Sequence, residues 1–314
     1  MAAPSPLMTL VTRRPRVRAP LAVLCLIAFV FANGCGRSKP IENTAAAKDS
    51  ATSPHRIVSL IPATTEMLFA MHAGDRLVAV SNYDTYPPEV ARLPRVGGLL
   101  DPYVEPLLAL KPDLVIVYGT QDELKTRLAS VGIPMFLYTH RELRDITETM
   151  RQLGDRIGIR DAADVAARNV EQQLDAIKAK VAGQPRPRSL LVFGREAGTL
   201  RHVEASGGYG FLHDLLELAG GSDVLGDIHQ AKVDMSTEMI LARQPEVLIE
   251  LHYGDEVRLD RLDTERAVWN ALPSLPAVKH NRIHLLVGNE FVVPGPRVVQ
   301  AAERLAKALH PGAW

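Results

Sequence analysis

Short apolar runs alternate with longer stretches of helical periodicity along most of this chain. Residues 57–60, 77–80, 114–118 and 135–138 read as strands, and 114–118 (LVIVY) is continuous in the manner of a strand buried on both faces. Between them, 66–71, 104–110, 121–130 and 141–156 read as helices. Thr64 or Thr65 is the expected cap of the first, and Gly74 and Gly158 close the first and last. The scheme recurs after residue 187. Strands are expected at 190–193, 247–251 and 282–287, and helices at 211–218, 239–242, 264–271 and 296–309, with a Gly-rich polar loop over 194–210. Strands alternating with helices imply parallel sheets covered on both faces.

The stretch 161–183 (DAADVAARNVEQQLDAIKAKVAG) separates the two halves. It is rich in Ala and in straight-chain residues, which lose little entropy in a helix. Asp161 stands at the N-cap position and Gly183 at the terminating one, while Val165, Val170, Leu174, Ile177 and Val181 supply one apolar face. A helix of this length spans roughly 33 Å at ~1.5 Å per residue, enough to join two lobes. The expected fold is therefore α/β, with two lobes, each a mainly parallel sheet flanked by helices, joined by one long spine helix.

The first 34 residues stand apart. Arg13, Arg14, Arg16 and Arg18 precede the apolar run 21–32, which is too short to span a bilayer and suits a signal-peptide core. Ala32-Asn33-Gly34-Cys35 resembles the lipobox of bacterial lipoproteins, with Cys35 as the lipidated residue. Residues 36–54 are small and polar, the composition of a flexible tether. The expected organisation is a signal peptide over 1–34, a tether over 35–54, a first lobe over 55–140, a helical linker and spine over 141–187, and a second lobe over 188–314. Of the two cysteines, Cys25 lies in the apolar run and Cys35 at the cleavage point, so the body has no disulfide, thiolate metal site or Cys nucleophile. The 36 basic and 36 acidic residues balance overall, but the leader carries four of the Arg and no acid. The remainder is net acidic and shows no basic stripe, which argues against nucleic acid as a partner.

Candidate chemistry is sparse. There is no nucleophile elbow, phosphate-binding Gly loop or H-E-x-x-H pair, so the reading is a protein that performs no covalent chemistry and has no cofactor of its own. Seven of ten histidines fall in the second half, and only His202 lies near the expected cleft, where it could meet an open metal position of a ligand. Arg195 and Arg201 in the Gly-rich loop either pair with a carboxylate or phosphate or stay solvated. One long-range echo stands out. The pattern E-x-h-h-A-x-x-P-[DE]-h-h-h begins at Glu105 and again at Glu238, 133 residues later, implying two related half-structures.

Five segments occur in a familiar order: Arg56-Ile-Val-Ser-Leu-Ile-Pro-Ala-Thr-Thr-Glu66, Ser81-Asn-Tyr-Asp-Thr-Tyr-Pro-Pro88, Leu110-Lys-Pro-Asp-Leu114, Gly220-Gly221 and the second echo. Together they resemble the periplasmic binding proteins of ABC importers for vitamin B12, haem and iron siderophores, nearest to the vitamin B12-binding component. The resemblance implies a spine helix between lobes and capture of a cobalt corrinoid or iron chelate in the cleft. It also implies a lipid-anchored monomer on the periplasmic side that delivers its ligand to an ABC permease and ATPase complex. Glu105 and Glu238 match acids that dock on permease arginines. A carboxylate at those positions also suits a helix N-terminus on electrostatic grounds alone. The expected ligand contacts are Tyr83, Tyr118, Arg195, Asn289 and Phe291. Leu99, Lys232 and Val293 depart from the family's vitamin B12 binders, which have Trp, Trp and Arg there. Haem or a ferric siderophore is the alternative ligand, and a metal-dependent cleft enzyme or sensor the alternative function.

Overall fold

The computed structural model describes residues 53–98, 101–254 and 257–314. The signal peptide, the lipobox with Cys35, nearly all of the tether, and Leu99 lie outside the described residues. The first sheet comprises β1 (Ile57–Ser59), β2 (Leu77–Val80), β3 (Leu114–Tyr118) and β4 (Met135–Tyr138), in the order β2-β1-β3-β4 with every pairing parallel. Its helices are α1 (Pro62–Ala70), α2 (Val104–Ala109) and α3 (Asp122–Ser130). Two further helices, α4 (Asp145–Arg156) and α5 (Arg160–Val181), lead to the second sheet.

That sheet holds β5 (Arg188–Gly194), β6 (Val203–Ser206), β7 (Ser222–Asp223), β8 (Lys232–Met235), β9 (Val247–His252) and β10 (Ile283–Val287). It runs β10-β9-β5-β6-β8, with β7 on β5. The β10-β9-β5 side is parallel, but β6 and β8 are antiparallel. The expected Gly-rich loop 194–210 therefore contains a strand. β5 extends into it as far as Gly194, and Val203 to Ser206 is a run too short and polar to stand out. The accompanying helices are α6 (Phe211–Leu218), α7 (Thr237–Arg243), α8 (Leu262–Ala267), α9 (Pro276–Lys279) and α10 (Val298–Leu309).

The first helix starts earlier than its threonines suggest. Pro62 opens α1, where its fixed φ and missing N–H cost nothing. Thr64 is inside the helix instead, bonded to the Ile61 carbonyl and to Ser59.

The echoed motif is repeated in conformation as well as in sequence. Lys111 and Gln244 end their helices at φ +49° and +48°, an uncommon state for side chains with a Cβ. Arg56, just before β1, donates from Nη2 to the Leu110 carbonyl at 2.6 Å, and its backbone N–H meets Asp113 Oδ1 at 2.9 Å. Arg188, opening β5, donates from Nη2 to the Arg243 carbonyl at 2.6 Å, and its N–H meets Glu246 Oε2 at 3.0 Å. In each half one arginine thus seats the carbonyl end of a short helix on the start of the first strand, and the motif's acid closes the latch. The two halves share this local unit, although their sheets differ in strand number and pairing.

The spine α5 buries Ala163, Ala167, Val170, Leu174, Ile177 and Val181, whereas Val165, expected on that face, is 60% exposed. The stripe begins on alanines because α4 comes very close: a Cβ at Gly154 would lie 2.1 Å from the Ala163 Cβ. Asp161 sits in the first turn and makes no capping bond. Arg151 ties α4 to α5 through Asp164 at 3.0 Å and Glu171 at 2.7 and 2.9 Å. One apolar cluster runs from the first sheet through α4 and α5 into α10 and one face of β5, and a second, around Trp269, covers the other face. The spine therefore contributes its buried face to a shared core. Gly154→Ala should lower the unfolding free energy by about 1–3 kcal/mol through overpacking, opposite in sign to the ~1 kcal/mol gain that helix propensity alone gives. Urea titration distinguishes the two.

Candidate functional site

In parallel α/β sheets, ligands meet the loops at the carboxyl ends of the strands. Here those ends bring together Ser81 to Tyr86 after β2, Gly119 after β3, His140 after β4, Arg195 after β5, Tyr253 after β9 and Asn289 after β10. Contacts between the lobes join them. The His140 ring meets Phe211 of α6 edge-on at 5.3 Å, and Asn289 Nδ2 reaches Thr85 Oγ1 at 3.5 Å. Asn289 Oδ1 also accepts the Gly254 N–H at 2.8 Å, so one side chain ties its own loop to two other cleft loops.

Of the expected ligand contacts, Tyr83 stands out from its loop at 65% exposure. The loop beneath it is stiff. Asp84 Oδ2 accepts from the Ser81 N–H at 2.9 Å and from its hydroxyl at 2.5 Å, and Arg95 donates to the Ser81 and Asp84 carbonyls, both at 2.7 Å. Tyr118 is half-buried, edge-on to Tyr138 at 5.3 Å, and burial raises its phenol pKa. Two expectations need correction. Phe291 is 0% exposed and lies beneath the Arg304 guanidinium at 4.8 Å, so it packs the core under the Asn289 loop. Arg195 has a side chain only 3% exposed and already neutralised, with Glu250 at 3.0 Å and Glu265 at 2.8 Å. It also donates to the Thr199 and Glu265 carbonyls. Its charge braces a loop and is not free for a ligand. Lys232 of β8 pairs with Glu204 of β6, and His202 is exposed on the β5–β6 hairpin.

The second lobe carries a cavity of about 290 Å³ at the ends of β5 and β9, lined among others by Phe193, Arg195, His252, Tyr253 and Leu262. Its floor is a buried polar network. Glu250 accepts the Trp269 indole N–H at 2.7 Å, and His252 Nε2 is 3.0 Å away. Burial alone would raise the Glu250 carboxyl, but His252, Arg195 and Trp269 outweigh it and hold it below the usual carboxylate value. Sequence reasoning missed Thr85, His140, Glu250, His252 and Tyr253. The available signal was position: Tyr253 follows directly on a strand terminus, and Glu250 is a charge inside an otherwise apolar strand.

Among the described residues no cluster of three or more His, Cys, Asp or Glu could hold a metal, and no helix is long and apolar enough to cross a membrane. Glu105 and Glu238 both stand at the second position of a short helix. Glu105 is 84% exposed, with Arg127 at 3.3 Å, and Glu238 is exposed on a helix capped by Ser236.

His140 stacks on Tyr138 at 6.3 Å between parallel rings, and neither ring nitrogen has a protein partner. Burial lowers its pKa to about 4. As pH falls from the ordinary histidine value of ~6.5 toward that point, the unfolded chain takes up the proton and the native one does not. Stability is therefore lost over this window, by about 3 kcal/mol at full extent. His140→Phe should flatten the slope of unfolding free energy between pH 6.5 and 4, measured by denaturant titration at each pH.

Residues 57–288 match the family described as Periplasmic binding protein. The vitamin B12-binding protein of Salmonella typhimurium (strain LT2) is 30% identical over 256 residues, covering 81% of this chain and 90% of that one. Among solved structures, a periplasmic vitamin B12 binding protein of Vibrio cholerae superposes with a TM-score of 0.69 at 24% identity, covering 82% of this chain and 98% of its own. A periplasmic haem-binding protein of Roseiflexus sp. RS-1 gives 0.68 at 24% identity, covering 83% and 99%.

Proposed function

Because the chain belongs to the periplasmic binding protein family, we propose that it is the extracytoplasmic receptor of an ABC importer, capturing a corrinoid between its lobes and passing it to the permease. The observation that carries this reading is the set of tyrosines left uncovered at the strand ends of both lobes. Tyr83 projects from one and Tyr253 from the other, beside the cavity floored by Glu250 and His252. Exposed rings cost solvation unless a flat, largely apolar partner covers them, and a corrin macrocycle offers such faces. The lobes bind and release; no residue of the cleft is assigned a covalent step. Cys35 supplies the lipid anchor that keeps this monomer at the membrane, with the tether as its lead.

A second reading has its own support. His252 lies against Glu250, the pairing that orients a histidine whose other nitrogen meets a metal, which favours haem as the cargo. Absorbance titration with cyanocobalamin, cobinamide, haemin and a ferric siderophore separates the readings. A corrinoid should bind at micromolar concentration or tighter and Tyr83→Ala should weaken it about tenfold, ~1.4 kcal/mol. Haemin binding lost in His252→Ala, with no corrinoid response, would replace the first reading by the second.

Glu105 and Glu238 are the proposed permease contacts, each presented at the first turn of a latched helix. Charges at a transient interface steer encounter and fix orientation more than they add affinity. Reversing both to Arg should abolish uptake in a reconstituted importer while leaving the ligand dissociation constant within twofold. Uptake at the wild-type rate would reduce both residues to helix-terminal charges.

A further inference from the structure

Behind the cleft loops, a group of charged side chains crosses from one lobe to the other. Arg297, just before α10, donates from Nε to Glu66 Oε2 at 3.0 Å and from Nη2 to Oε1 at 2.5 Å. Glu66 belongs to α1 of the first lobe and its side chain is 3% exposed; that of Arg297 is 13% exposed. The same guanidinium lies 4.3 Å above the ring of Tyr86. Glu290 approaches Arg297 to 3.7 Å and is itself held by Arg304, which donates to the Val287 carbonyl at 2.8 Å. Space is tight on the second-lobe side. A Cβ at Gly295 would come 3.1 Å from Glu66 Oε2, and one at Gly288 only 2.3 Å from the Glu290 carboxylate.

The partners matter for where they lead. Tyr86 ends the loop that presents Tyr83 and Thr85, and Glu290 follows Asn289 in sequence. Thr85 and Asn289 meet across the cleft itself. One guanidinium therefore touches α1, the Tyr83 loop and the Asn289 loop from behind, and those two loops form facing walls of the site. A bidentate, buried arginine–carboxylate pair fixes angle as well as distance, which a lysine cannot do.

We propose that Arg297 is a positioning residue that sets the register of the two cleft walls, through Glu66 on one lobe and Tyr86 and Glu290 at the loop bases. The spine helix joins the lobes, and the arginine fixes how their binding loops face each other. Its effect on ligand rests on the receptor reading above; its effect on lobe geometry does not, and the experiment separates the two.

Spin labels at Glu123→Cys in α3 and Asp234→Cys in β8, with Cys25 and Cys35 replaced by serine, report the inter-lobe distance in the ligand-free protein. The unaltered clamp should give one narrow distribution. Arg297→Met should broaden it or shift it by several ångströms, with Arg297→Lys between the two. Glu66→Gln, which keeps the side chain's shape and its capacity to accept a bond, guards against loss of folding in Arg297→Met and should broaden it less. A narrow, unshifted distribution in either folded variant, Arg297→Met or Glu66→Gln, overturns the proposal. With cyanocobalamin added, Arg297→Met should raise the dissociation rate at least tenfold, and Arg297→Lys should recover part of it. Unchanged dissociation despite altered distances would confine the clamp to lobe geometry and refute its role at the site. Absence of corrinoid binding to the unaltered protein would count against the receptor reading alone.

Discussion

The structure depends on a latch made twice. Arg56 and Arg188 each bring a guanidinium to the last carbonyls of a short helix, while Asp113 and Glu246 accept the backbone N–H of those same arginines. Unpaired carbonyls at a helix terminus need donors, and a guanidinium supplies several from a rigid plane. The latch joins the start of the first strand of a half, the end of a helix and the start of the next strand. Helices of six and seven residues would be marginal alone. Latched, α2 and α7 become fixed mounts for Glu105 and Glu238.

From these mounts the rest follows by layers. The first sheet is all parallel and the second is parallel on its β10-β9-β5 side, so the carboxyl ends of both sets of strands supply loops to one cleft. A shared core through α5 and α10 connects them. Charges are treated differently by depth. Surface pairs such as Arg258–Asp260 are exposed and contribute little. The Glu250 network and the Glu66–Arg297 pair are buried, where a charge is tolerated only with full pairing. Both lie directly behind loops of the candidate site.

Much of this was legible in the chain. Continuous apolar runs identified β2, β3 and β4 to the residue: β3 is buried along nearly its whole length, and the edge strand β4 is apolar throughout although Leu137 is exposed. The duplicated motif pointed to a unit shared by the halves, and it came with a consequence that sequence spacing did not reveal, the left-handed Lys111 and Gln244. The failures have physical causes. β6 is four residues of mixed polarity in a Gly-rich stretch, stabilised by pairing with β5 and β8 rather than by its own pattern. Val165 fits the apolar spacing of the spine, but the tight approach of Gly154 to Ala163 turns that face toward alanines. Arg195 and Phe291 both belong to loops at the strand ends, yet Phe291 packs into the core and the Arg195 charge is taken up by Glu250 and Glu265. Sequence position determines which loop a residue occupies; only packing determines where its side chain points.

The two tryptophans differ in what they can report. Trp269 is wholly buried, and its indole nitrogen is bonded to the carboxylate that also contacts His252 and Arg195 on the cavity wall. Trp314 lies under Lys180, at the far end of the spine. One indole is thus connected to the cavity network and the other to the frame. A ligand of that cavity that disturbed the Glu250, His252 and Arg195 contacts would change the surroundings of the Trp269 indole, so the protein's own emission would report on the cavity without an added probe.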